Sequence, residues 1–326
     1  MKAIMQDRYG SPDTLALGDV DRPVAADDEV LVRVHAAAVN ALDWHFMRGD
    51  PYVARLGMGF GGPRQKVRGR DFAGTVAAVG KDVRDLRPGD EVFGDADGAF
   101  AEYVRVPADQ VERKPANLTF EQAAAIPMAG RTALAGLRDA GRAGPGQRVL
   151  VNGASGGVGT FAVQIGKVLG AEVTAVCSTR NIDLVRSLGA AEVIDYTRAD
   201  FTRGGQRYDV VFDLVGNHPL AALRRVLTAT GTVVLSGGGV SRGGSLFGPM
   251  GLIIRAQVAA KFVRGQRIHV LQTPPAKGLL TALTELAEAG EVTPVLDRTY
   301  KLAEVPDAIR YVETEHARAK VVVTVP

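Results

Sequence analysis

The sequence predicts an α/β protein built from a β-rich barrel domain and a doubly wound parallel sheet. Two observations carry this prediction. Short apolar runs separated by turn-forming residues dominate the first part of the chain, whereas strand-like and helix-like segments alternate after about residue 120. Short strands joined by tight turns are typical of small barrels. Alternating β and α segments are typical of a parallel sheet that helices cover on both faces.

The β-rich first part is recognised by residue alternation. The segment DEVLVRVHAAAVN places Val30, Val32 and Val34 on one face, as in a half-buried strand. FAGTVAAVG and AEYVRVP are similar apolar runs, and RPGDEVFGDADGAF between them has the proline, glycine and aspartate residues of turns. We therefore expect short strands that form a small barrel.

The alternating part begins near residue 120. TFEQAAAIPMAGRTALAGLRDAG predicts a helix with Thr119 as its N-cap and Gln122 at the matching capping-box position. Helices are then predicted at 159–170 and near 181–188, and after about 273 from KGLLTALTELAEAG. The predicted strands are RVLVNG, EVTAVC, EVIDY, DVVFDLVG, GTVVLSG and the late AKVVVTV. Continuous apolar strands are expected where helices cover both faces of a sheet.

The composition excludes several classes of protein. The 326-residue chain has 46% hydrophobic and 23% charged residues, as globular proteins do. A net charge of +3 and 6% aromatic residues do not indicate nucleic-acid binding. The single cysteine, Cys177, excludes an intrachain disulfide and a cysteine-built zinc site. Without a signal-peptide pattern or a membrane-spanning segment, a cytoplasmic protein is expected.

The segment VNGASGGVGTFAVQIGKVLG places four glycine residues among residues 153–159, between a strand and a helix. A triphosphate loop, a dinucleotide site and a simple tight turn are the alternatives. A triphosphate loop needs Gly-Lys-Ser/Thr, but Gly159 is followed by Thr160 and Phe161. A dinucleotide needs glycine where its pyrophosphate meets the helix N-terminus, which this segment provides. The residues predicted to bind it are Ser155, Gly156, Gly157, Val158 and Gly159.

The end of the next strand indicates which dinucleotide binds. An NAD site carries Asp or Glu about 20 residues beyond the glycine motif, where the carboxylate binds the ribose 2′-hydroxyl. This chain has Ser178, Thr179 and Arg180 instead, which suit a 2′-phosphate and leave no carboxylate to repel it. NADP(H) is therefore the predicted cofactor. The alternative for Arg180 is a solvated turn residue.

These segments resemble the quinone oxidoreductase and zeta-crystallin branch of the medium-chain dehydrogenase/reductase superfamily. The resemblance is carried by GQRVLVNGASGGVGTFAVQIGK, GRDFAGTVAAVG, RPGDEVFG, GAFAEYVRVP and AKVVVTV, so it spans almost the whole chain. It implies a GroES-like β-barrel catalytic domain at residues 1–121 and 273–326 and a Rossmann NADP(H)-binding domain at 122–272, with the active site in the cleft between them. It also implies a homodimer joined through the Rossmann sheets, with RIHVLQT at the sheet edge.

The resemblance further implies a site without metal. Zinc-dependent members of the superfamily carry a catalytic cysteine and a Gly-His-Glu motif. Here Asn40 stands at the cysteine position and Gly69-Arg70-Asp71 replaces the motif. Catalytic zinc needs about three protein ligands. Only His45 among the histidines lies near the expected position, so we reject the alternative of a metal held by His45 and Asp43.

The resemblance implies hydride transfer from NADPH to quinones or α,β-unsaturated carbonyl compounds. Without metal, hydrogen-bond donors must stabilise the charge that develops on the acceptor oxygen. By resemblance, Asn40 lies near the nicotinamide and Tyr52 near the substrate, where Tyr52 either donates a proton or only packs; His45 is a second candidate donor. Further cofactor contacts are assigned to Thr132, Tyr196, Val215, Gly237 and Gly238, with Arg318 and Lys320 as weaker candidates.

Two other functions stay open at this point. One is an NADP-dependent alcohol dehydrogenase or carbonyl reductase, and the other is an NADPH-binding protein with little turnover. The segments 55–71 and 237–267 depart from the family pattern, and we expect them to shape the substrate pocket. A lid or a membrane-surface contact is their alternative role. A small-molecule electrophile and a second copy of the chain are the expected partners, and nucleic acid is not.

Overall fold

The structure is a computed structural model, and it describes residues 1–237, 250–261, 263–272, 278–315 and 317–326. The chain divides into two compact units. Unit 1 comprises Met1–Arg131 and Pro275–Pro326, and unit 2 comprises Thr132–Pro274. No helix in the described part of the chain is long and apolar enough to cross a membrane. Gly238 and His316 lie outside the described residues, as does much of the 237–267 segment.

The elements follow the two parts that the sequence predicts, with mostly strands in the first part and strands alternating with helices in the second. The first stretch contains β1 (Lys2–Gln6), β2 (Leu15–Asp19), β3 (Glu29–Val39), α1 (Ala41–Arg48), α2 (Arg55–Met58), β4 (Asp71–Val79), β5 (Glu91–Asp95), β6 (Tyr103–Pro107), β7 (Val111–Arg113), α3 (Phe120–Ala124) and α4 (Pro127–Leu134). The middle stretch contains β8 (Arg148–Asn152), α5 (Gly157–Val168), β9 (Glu172–Cys177), α6 (Ile182–Ser187), β10 (Glu192–Asp195), β11 (Tyr208–Asp213), α7 (Leu220–Arg225), β12 (Leu227–Leu235), α8 (Met250–Ala260) and β13 (Arg267–Val270). The last stretch contains α9 (Leu279–Glu288), β14 (Leu296–Lys301), α10 (Val305–Thr314) and β15 (Lys320–Thr324).

The main sheet of unit 1 joins strands from both ends of the chain. Its order is β14-β15-β3-β4-β5-β7, and β6 also pairs with β3. β14 and β15 are parallel, whereas the other neighbours are antiparallel. The three alternating valine residues of β3 are fully buried as predicted, but residues 36–39 are buried as well. Both faces of the later part of β3 are therefore buried, because α3 covers the second face. There the Phe120 ring lies 4.5 Å from the His35 ring.

Unit 2 is built around a parallel sheet in the order β10-β9-β8-β11-β12-β13. Every neighbouring pair in this sheet is parallel. From β8 the chain builds the sheet outwards through β9 and β10, and then returns to the other side of β8 with β11. A ligand is expected at the carboxyl ends of the strands near this reversal. β13, which contains most of RIHVLQT, is the edge strand, as predicted.

The helix predicted over the TFEQ segment is interrupted. Thr119 and Gln122 form the predicted capping box: Thr119 Oγ1 accepts from the Gln122 N–H at 3.3 Å, and Gln122 Oε1 accepts from the Thr119 N–H at 3.0 Å. However, α3 ends at Ala124, α4 begins at Pro127, and a π-helix follows at Ala135–Gly141. Proline explains the break, since it lacks the N–H of a helical residue and disfavours the helical conformation of the residue before it.

Candidate functional site

The glycine turn of unit 2 connects β8 to α5. Gly153 has a φ of 89°, in the left-handed region that favours glycine, and a Cβ there would lie 2.8 Å from Val215 Cγ2. A Cβ on Gly159 would lie 2.2 Å from the Gly153 carbonyl oxygen and 2.6 Å from the Ala154 carbonyl carbon. The turn and its packing against α5 therefore require glycine at both positions, whatever binds there.

Gly156 differs because the fold does not require glycine at this position. A Cβ there would contact one atom, the Gly153 carbonyl oxygen, at an ordinary 3.4 Å. Gly156 is the N-cap of α5 and brings no side chain to the first turn. The first N–H groups of a helix have no intrahelical partners and attract anions. A helix N-terminus without a side-chain cap in the described part of the chain, beside Ser155, Gly157 and Val158, fits the close approach of a pyrophosphate.

Asn181 ties the glycine turn to the loop that follows β9. Its Nδ2 donates to Ser155 Oγ at 3.0 Å and to Ser178 Oγ at 3.2 Å. The residue is buried, and its Oδ1 has no hydrogen-bond partner among the described residues. The sequence analysis missed Asn181, although a polar side chain shortly after a strand end is the available signal. Its free acceptor makes it a candidate cofactor contact.

The loop after β9 and the end of β10 lie side by side. Ser178 is half-buried, whereas Thr179, Arg180 and Tyr196 are exposed. The Tyr196 N–H donates to the Cys177 carbonyl oxygen at 3.1 Å, which holds the two segments together.

A carboxylate lies beside this predicted phosphate site. Thr179 Oγ1 donates to Asp195 Oδ2 at 2.5 Å. The residues that directly follow β9, Ser178 to Asn181, include no carboxylate. Asp195 instead ends β10, where it is opposite Cys177 in the sheet register. Strand pairing therefore adds an acidic group to the neighbourhood of Thr179.

The carboxyl ends of β8, β11 and β12 lie on the same side of this sheet as the glycine turn. Asp213 Oδ1 accepts from Asn152 Nδ2 at 2.8 Å and from the Val215 N–H at 3.1 Å, whereas Asp213 Oδ2 is buried with no partner in the described part of the chain. The Gly237 N–H donates to the Asp213 carbonyl oxygen at 3.0 Å. Val215 and Gly237 are thus brought to the glycine turn, while Thr132 is a half-buried residue of α4.

Unit 1 contains a cluster of buried polar side chains, which we call the buried polar cluster: Asn40, Asp43, Asp71 and Lys320. Asn40 is the N-cap of α1, and its N–H donates to Asp43 Oδ2 at 2.7 Å. Asn40 Nδ2 donates to Asp71 Oδ2 at 2.9 Å. Lys320 Nζ donates to Asn40 Oδ1 at 2.7 Å and lies 3.3 Å from Asp71 Oδ2. The Asn40 amide is therefore fixed at both ends.

Burial dominates the electrostatics of this cluster. Burial raises the pKa of Asp43 to about 7, and the Asp71 carboxylate adds to the shift, whereas the Asn40 N–H and the Lys320 ammonium oppose it. Burial also raises the pKa of Asp71, and Lys320 opposes that shift most strongly. Lys320, a weaker cofactor candidate in the sequence analysis, is only 2% exposed. The ammonium serves as an internal partner for the two buried acids.

The donor set at this position does not fit zinc. By the resemblance, Asn40 stands at the catalytic cysteine position and Gly69-Arg70-Asp71 in place of Gly-His-Glu. Asn40 and Asp71 both contact the Lys320 ammonium, which is not a ligand type of zinc. Arg70, between Gly69 and Asp71, pairs instead with Asp95 and Asp97 at 2.9 and 2.8 Å. In the described ranges no group of three or more His, Cys, Asp and Glu side chains could hold a metal ion.

The two candidate proton donors contact different neighbours. Tyr52 begins the short helix Tyr52–Ala54 and is 43% exposed, and the Arg55 guanidinium lies 4.5 Å from its ring centroid. The His45 ring stacks on Trp44 at 3.7 Å, and His45 Nδ1 lies 3.3 Å from the Asp50 carbonyl oxygen. Burial lowers the pKa of His45, which favours the neutral imidazole. If Nδ1 carries the proton to reach that carbonyl, Nε2 is an acceptor and has no proton to donate.

Comparison with known proteins places these features in one family. The family described as "Alcohol dehydrogenase GroES-like domain" matches residues 26–116, and that described as "Zinc-binding dehydrogenase" matches residues 188–323. The 2-methylene-furan-3-one reductase of Solanum lycopersicum is 36% identical over 99% of this chain and 79% of its own length. The chloroplastic NADPH-dependent alkenal/one oxidoreductase of Arabidopsis thaliana is 35% identical with the same coverage, 99% and 79%.

A solved structure agrees with these relatives. The quinone oxidoreductase from Coxiella burnetii superposes with a TM-score of 0.85 at 31% identity, covering 100% of this chain and 99% of its own. The GroES-like match and the parallel sheet confirm the predicted fold class. The chain belongs to the quinone oxidoreductase branch of the medium-chain dehydrogenase/reductase superfamily.

Proposed function

We propose that the protein is an NADPH-dependent, zinc-independent oxidoreductase that transfers hydride to quinones or α,β-unsaturated carbonyl compounds. The observation that carries the proposal is the glycine turn, where no described side chain caps the helix N-terminus at Gly156. The relatives of the chain include an NADPH-dependent alkenal/one oxidoreductase and a 2-methylene-furan-3-one reductase. Gly153 and Gly159 are explained by the turn alone, whereas Gly156 is explained by a ligand that approaches the backbone.

The residues of unit 2 bind the cofactor in this proposal. NADPH, when bound, supplies the hydride. Its pyrophosphate is held by the backbone of residues 155–159 at the N-terminus of α5. Ser178, Thr179, Arg180 and Tyr196 surround the ribose 2′-phosphate, for which Arg180 supplies a cationic donor. Thr132, Val215, Gly237 and Gly238 contact the nicotinamide and adenosine halves.

The residues of unit 1 act on the acceptor without a metal. The ammonium of Lys320, bound to Asn40 and Asp71, supports a zinc-independent site. Because Asp71 and Lys320 engage the Asn40 amide, one Nδ2 proton of Asn40 is left to orient a bound group. Tyr52, which is exposed, is the proposed hydrogen-bond or proton donor to the acceptor oxygen. His45 is the weaker candidate, because its Nδ1 already faces a carbonyl oxygen.

Oxidation of NADPH by a panel of acceptors tests the function directly. The panel contains a quinone, an enone, a 2-alkenal, a simple aldehyde and, in the reverse direction, an alcohol with NADP. We expect turnover of the quinone or the conjugated carbonyl compounds that EDTA does not reduce. Turnover of the alcohol alone would favour the alcohol dehydrogenase alternative. Tight NADPH binding without oxidation by any acceptor would favour the binding protein.

Replacing Tyr52 by phenylalanine tests its role. If Tyr52 donates the proton, Y52F lowers kcat on the order of 10²-fold and changes the pH profile. Tyr103→Phe is a matched control, since the ring of Tyr103 also lies under an arginine, with the Arg22 guanidinium 3.8 Å from its centroid. Equal kcat values for the two variants would assign Tyr52 a packing role.

We also propose that unit 1 is the catalytic domain and unit 2 the cofactor domain of a cytoplasmic homodimer. The proposed domain boundaries, 121/122 and 272/273, lie close to the ends of the two compact units. The edge strand β13 pairs only with β12 within the described sheet, which leaves its other side for a second copy. Light scattering of the purified protein tests the dimer. Cell fractionation tests the location, because one relative is chloroplastic.

A further inference from the structure

We infer that Asp195 determines the preference between NADPH and NADH, because it makes the hydroxyl of Thr179 an acceptor rather than a donor. The inference deepens the proposed function and rests on it, since it concerns the same cofactor site. Thr179 follows β9, where the ribose of a dinucleotide meets a doubly wound sheet.

Both carboxylate oxygens of Asp195 accept hydrogen bonds. Asp195 Oδ2 accepts from Thr179 Oγ1 at 2.5 Å. Its Oδ1 accepts from the Thr197 N–H at 2.9 Å and from Thr197 Oγ1 at 2.7 Å. Arg198 Nε lies 3.6 Å from Oδ2, and the Asp195 side chain is 9% exposed. The carboxylate is therefore held in one orientation, and its Oδ2 bonds to Thr179 in the loop that follows β9.

The protons of both threonine hydroxyls point to this carboxylate. The hydrogen bond from Thr179 holds the pKa of Asp195 below its ordinary value, so the group is ionised at neutral pH and can only accept. Thr179 and Thr197 each have one hydroxyl proton, and each donates it to Asp195. Their own oxygens lie 3.2 Å apart, and either hydroxyl could donate to the other only by turning its proton away from Asp195. Thr179 Oγ1 therefore presents only lone pairs to a ligand.

An acceptor at this position distinguishes the two cofactors. The ribose 2′-hydroxyl of NADH is a donor and can bond to Thr179 Oγ1. The 2′-phosphate of NADPH has only acceptor oxygens and carries charge of the same sign as Asp195. Ser178 and Arg180 favour the phosphate, and Asp195 opposes them. The structure thus contains opposing determinants, and the expected result is a preference for NADPH that Asp195 weakens.

A second Asp-x-Thr turn shows that the bond to Thr179 is not needed for the turn itself. Asp200 Oδ1 accepts from the Thr202 N–H at 2.9 Å and from Thr202 Oγ1 at 2.7 Å, the same distances as at Asp195 and Thr197. Its other oxygen lies 3.3 Å from Arg203 Nε. The two turns differ in that Asp195 also binds Thr179, which makes Asp200 a matched control.

The test compares Asp195→Asn with Asp200→Asn in dissociation constants for NADPH and NADH, measured by fluorescence titration of the full-length protein. Asparagine has nearly the shape of aspartate, removes the charge and can donate to Thr179, which frees the threonine proton. We expect D195N to raise the preference for NADPH over NADH on the order of ten-fold. D200N is expected to leave the preference unchanged. Because the preference is a ratio within one protein, a folding defect that lowers both affinities does not mimic the effect.

Thr179→Val provides the second variant. It removes the acceptor, so it should weaken NADH binding more than NADPH binding and reduce the effect of D195N when the two are combined. Equal preferences in D195N, D200N and the wild type, with NADPH still bound, would overturn the inference and leave the proposed function standing. Failure of the wild type to bind NADPH would overturn both.

Discussion

The buried polar cluster of unit 1 and the strand ends of unit 2 use buried polar groups in opposite ways. In the cluster, Lys320, Asn40 and Asp71 bond to one another, and no buried side-chain atom of its four residues lacks a partner in the part of the chain that is described. At the strand ends, buried oxygens of Asn181 and Asp213 have no partner among the described residues.

Buried polar atoms without partners are rare in native proteins, and they occur where a ligand or an ordered water completes the set. The strand ends of unit 2 therefore have spare hydrogen-bonding capacity for a cofactor. The cluster has little to spare, so its role is to hold the start of α1 and the Asn40 amide in place. Three tests on stability and binding, and one on reactivity, distinguish the buried polar cluster, whose side chains bond to one another, from the strand ends of unit 2, where a ligand would complete the hydrogen bonds.

Removing the Lys320 ammonium should give the largest loss of stability. Lys320→Met leaves Asp71 buried beside Asn40 without its cationic partner, and breaking a buried ion pair in this way costs about 3–5 kcal/mol. Denaturant unfolding measures the loss. Lys2→Met is the matched control, since Lys2 pairs with Asp19 at 2.8 Å on the surface, where solvent screening leaves such pairs little effect on stability. The double variant K320M/D71N should recover part of the loss, and equal stabilities of K320M and K2M would contradict a buried ion pair.

Asp43 should make the stability of unit 1 fall as the pH rises. Its folded-state pKa of about 7 lies above the ordinary value of 3.8, so between these values the folded state holds a proton that the unfolded state has lost. The free energy of unfolding then decreases by up to about 1.4 kcal/mol per pH unit in this window and levels off above pH 7. Asp43→Asn keeps an acceptor for the Asn40 N–H and removes the titration, so D43N gains relative to the wild type from pH 5 to pH 8.

The surface residue Asp90 gives the control for Asp43. Desolvation raises the pKa of Asp90, but hydrogen bonds and ion pairs with Arg87 and Arg113 outweigh it, so the pKa is lowered. The contribution of Asp90 to stability is therefore lost only in acid. The free energies of unfolding of D90N and the wild type should change in parallel between pH 5 and pH 8. Parallel curves for D43N as well would show that Asp43 is not the buried neutral acid that the cluster implies.

Two glycine substitutions test the strand ends. Gly159→Ala places a Cβ against the Gly153 carbonyl oxygen, so it should cost about 1–3 kcal/mol of stability and weaken NADPH binding together. Gly156→Ala brings a Cβ only into ordinary contact with the Gly153 carbonyl oxygen, at 3.4 Å, and changes the N-cap, at a cost of about 1 kcal/mol or less. G156A should nevertheless raise the Kd for NADPH on the order of ten-fold, because its methyl group lies where the pyrophosphate approaches. Unchanged NADPH affinity in G156A would remove the main support for the cofactor site.

Features that depend on neighbouring residues could be predicted from the sequence, whereas contacts between distant residues could not. The glycine turn, the capping box at Thr119 and the parallel sheet depend on residues close together in the chain, so periodicity and spacing predict them. The bond from Lys320 to Asn40 joins residues 280 positions apart. The bond from Thr179 to Asp195 joins residues 16 positions apart, at the ends of two neighbouring strands. Strand pairing creates both contacts, and no local pattern encodes them. The choice of NADP(H) from the sequence rests on the residues following β9, and Tyr196 is assigned by resemblance alone, so Asp195 is not among the predicted cofactor residues.

The smallest effect on cofactor binding is expected at Cys177, the single cysteine of the chain and the last residue of β9. Burial raises its pKa to about 11, so almost no thiolate forms near neutral pH. Iodoacetamide at pH 8 should therefore leave the native protein unmodified by mass spectrometry and its NADPH affinity unchanged, whereas the same protein in denaturant should react fully. Rapid alkylation of the native protein would show that β9 opens at its end. In that case the unpartnered oxygens of Asn181 and Asp213 would reflect a mobile edge rather than a preformed cofactor site.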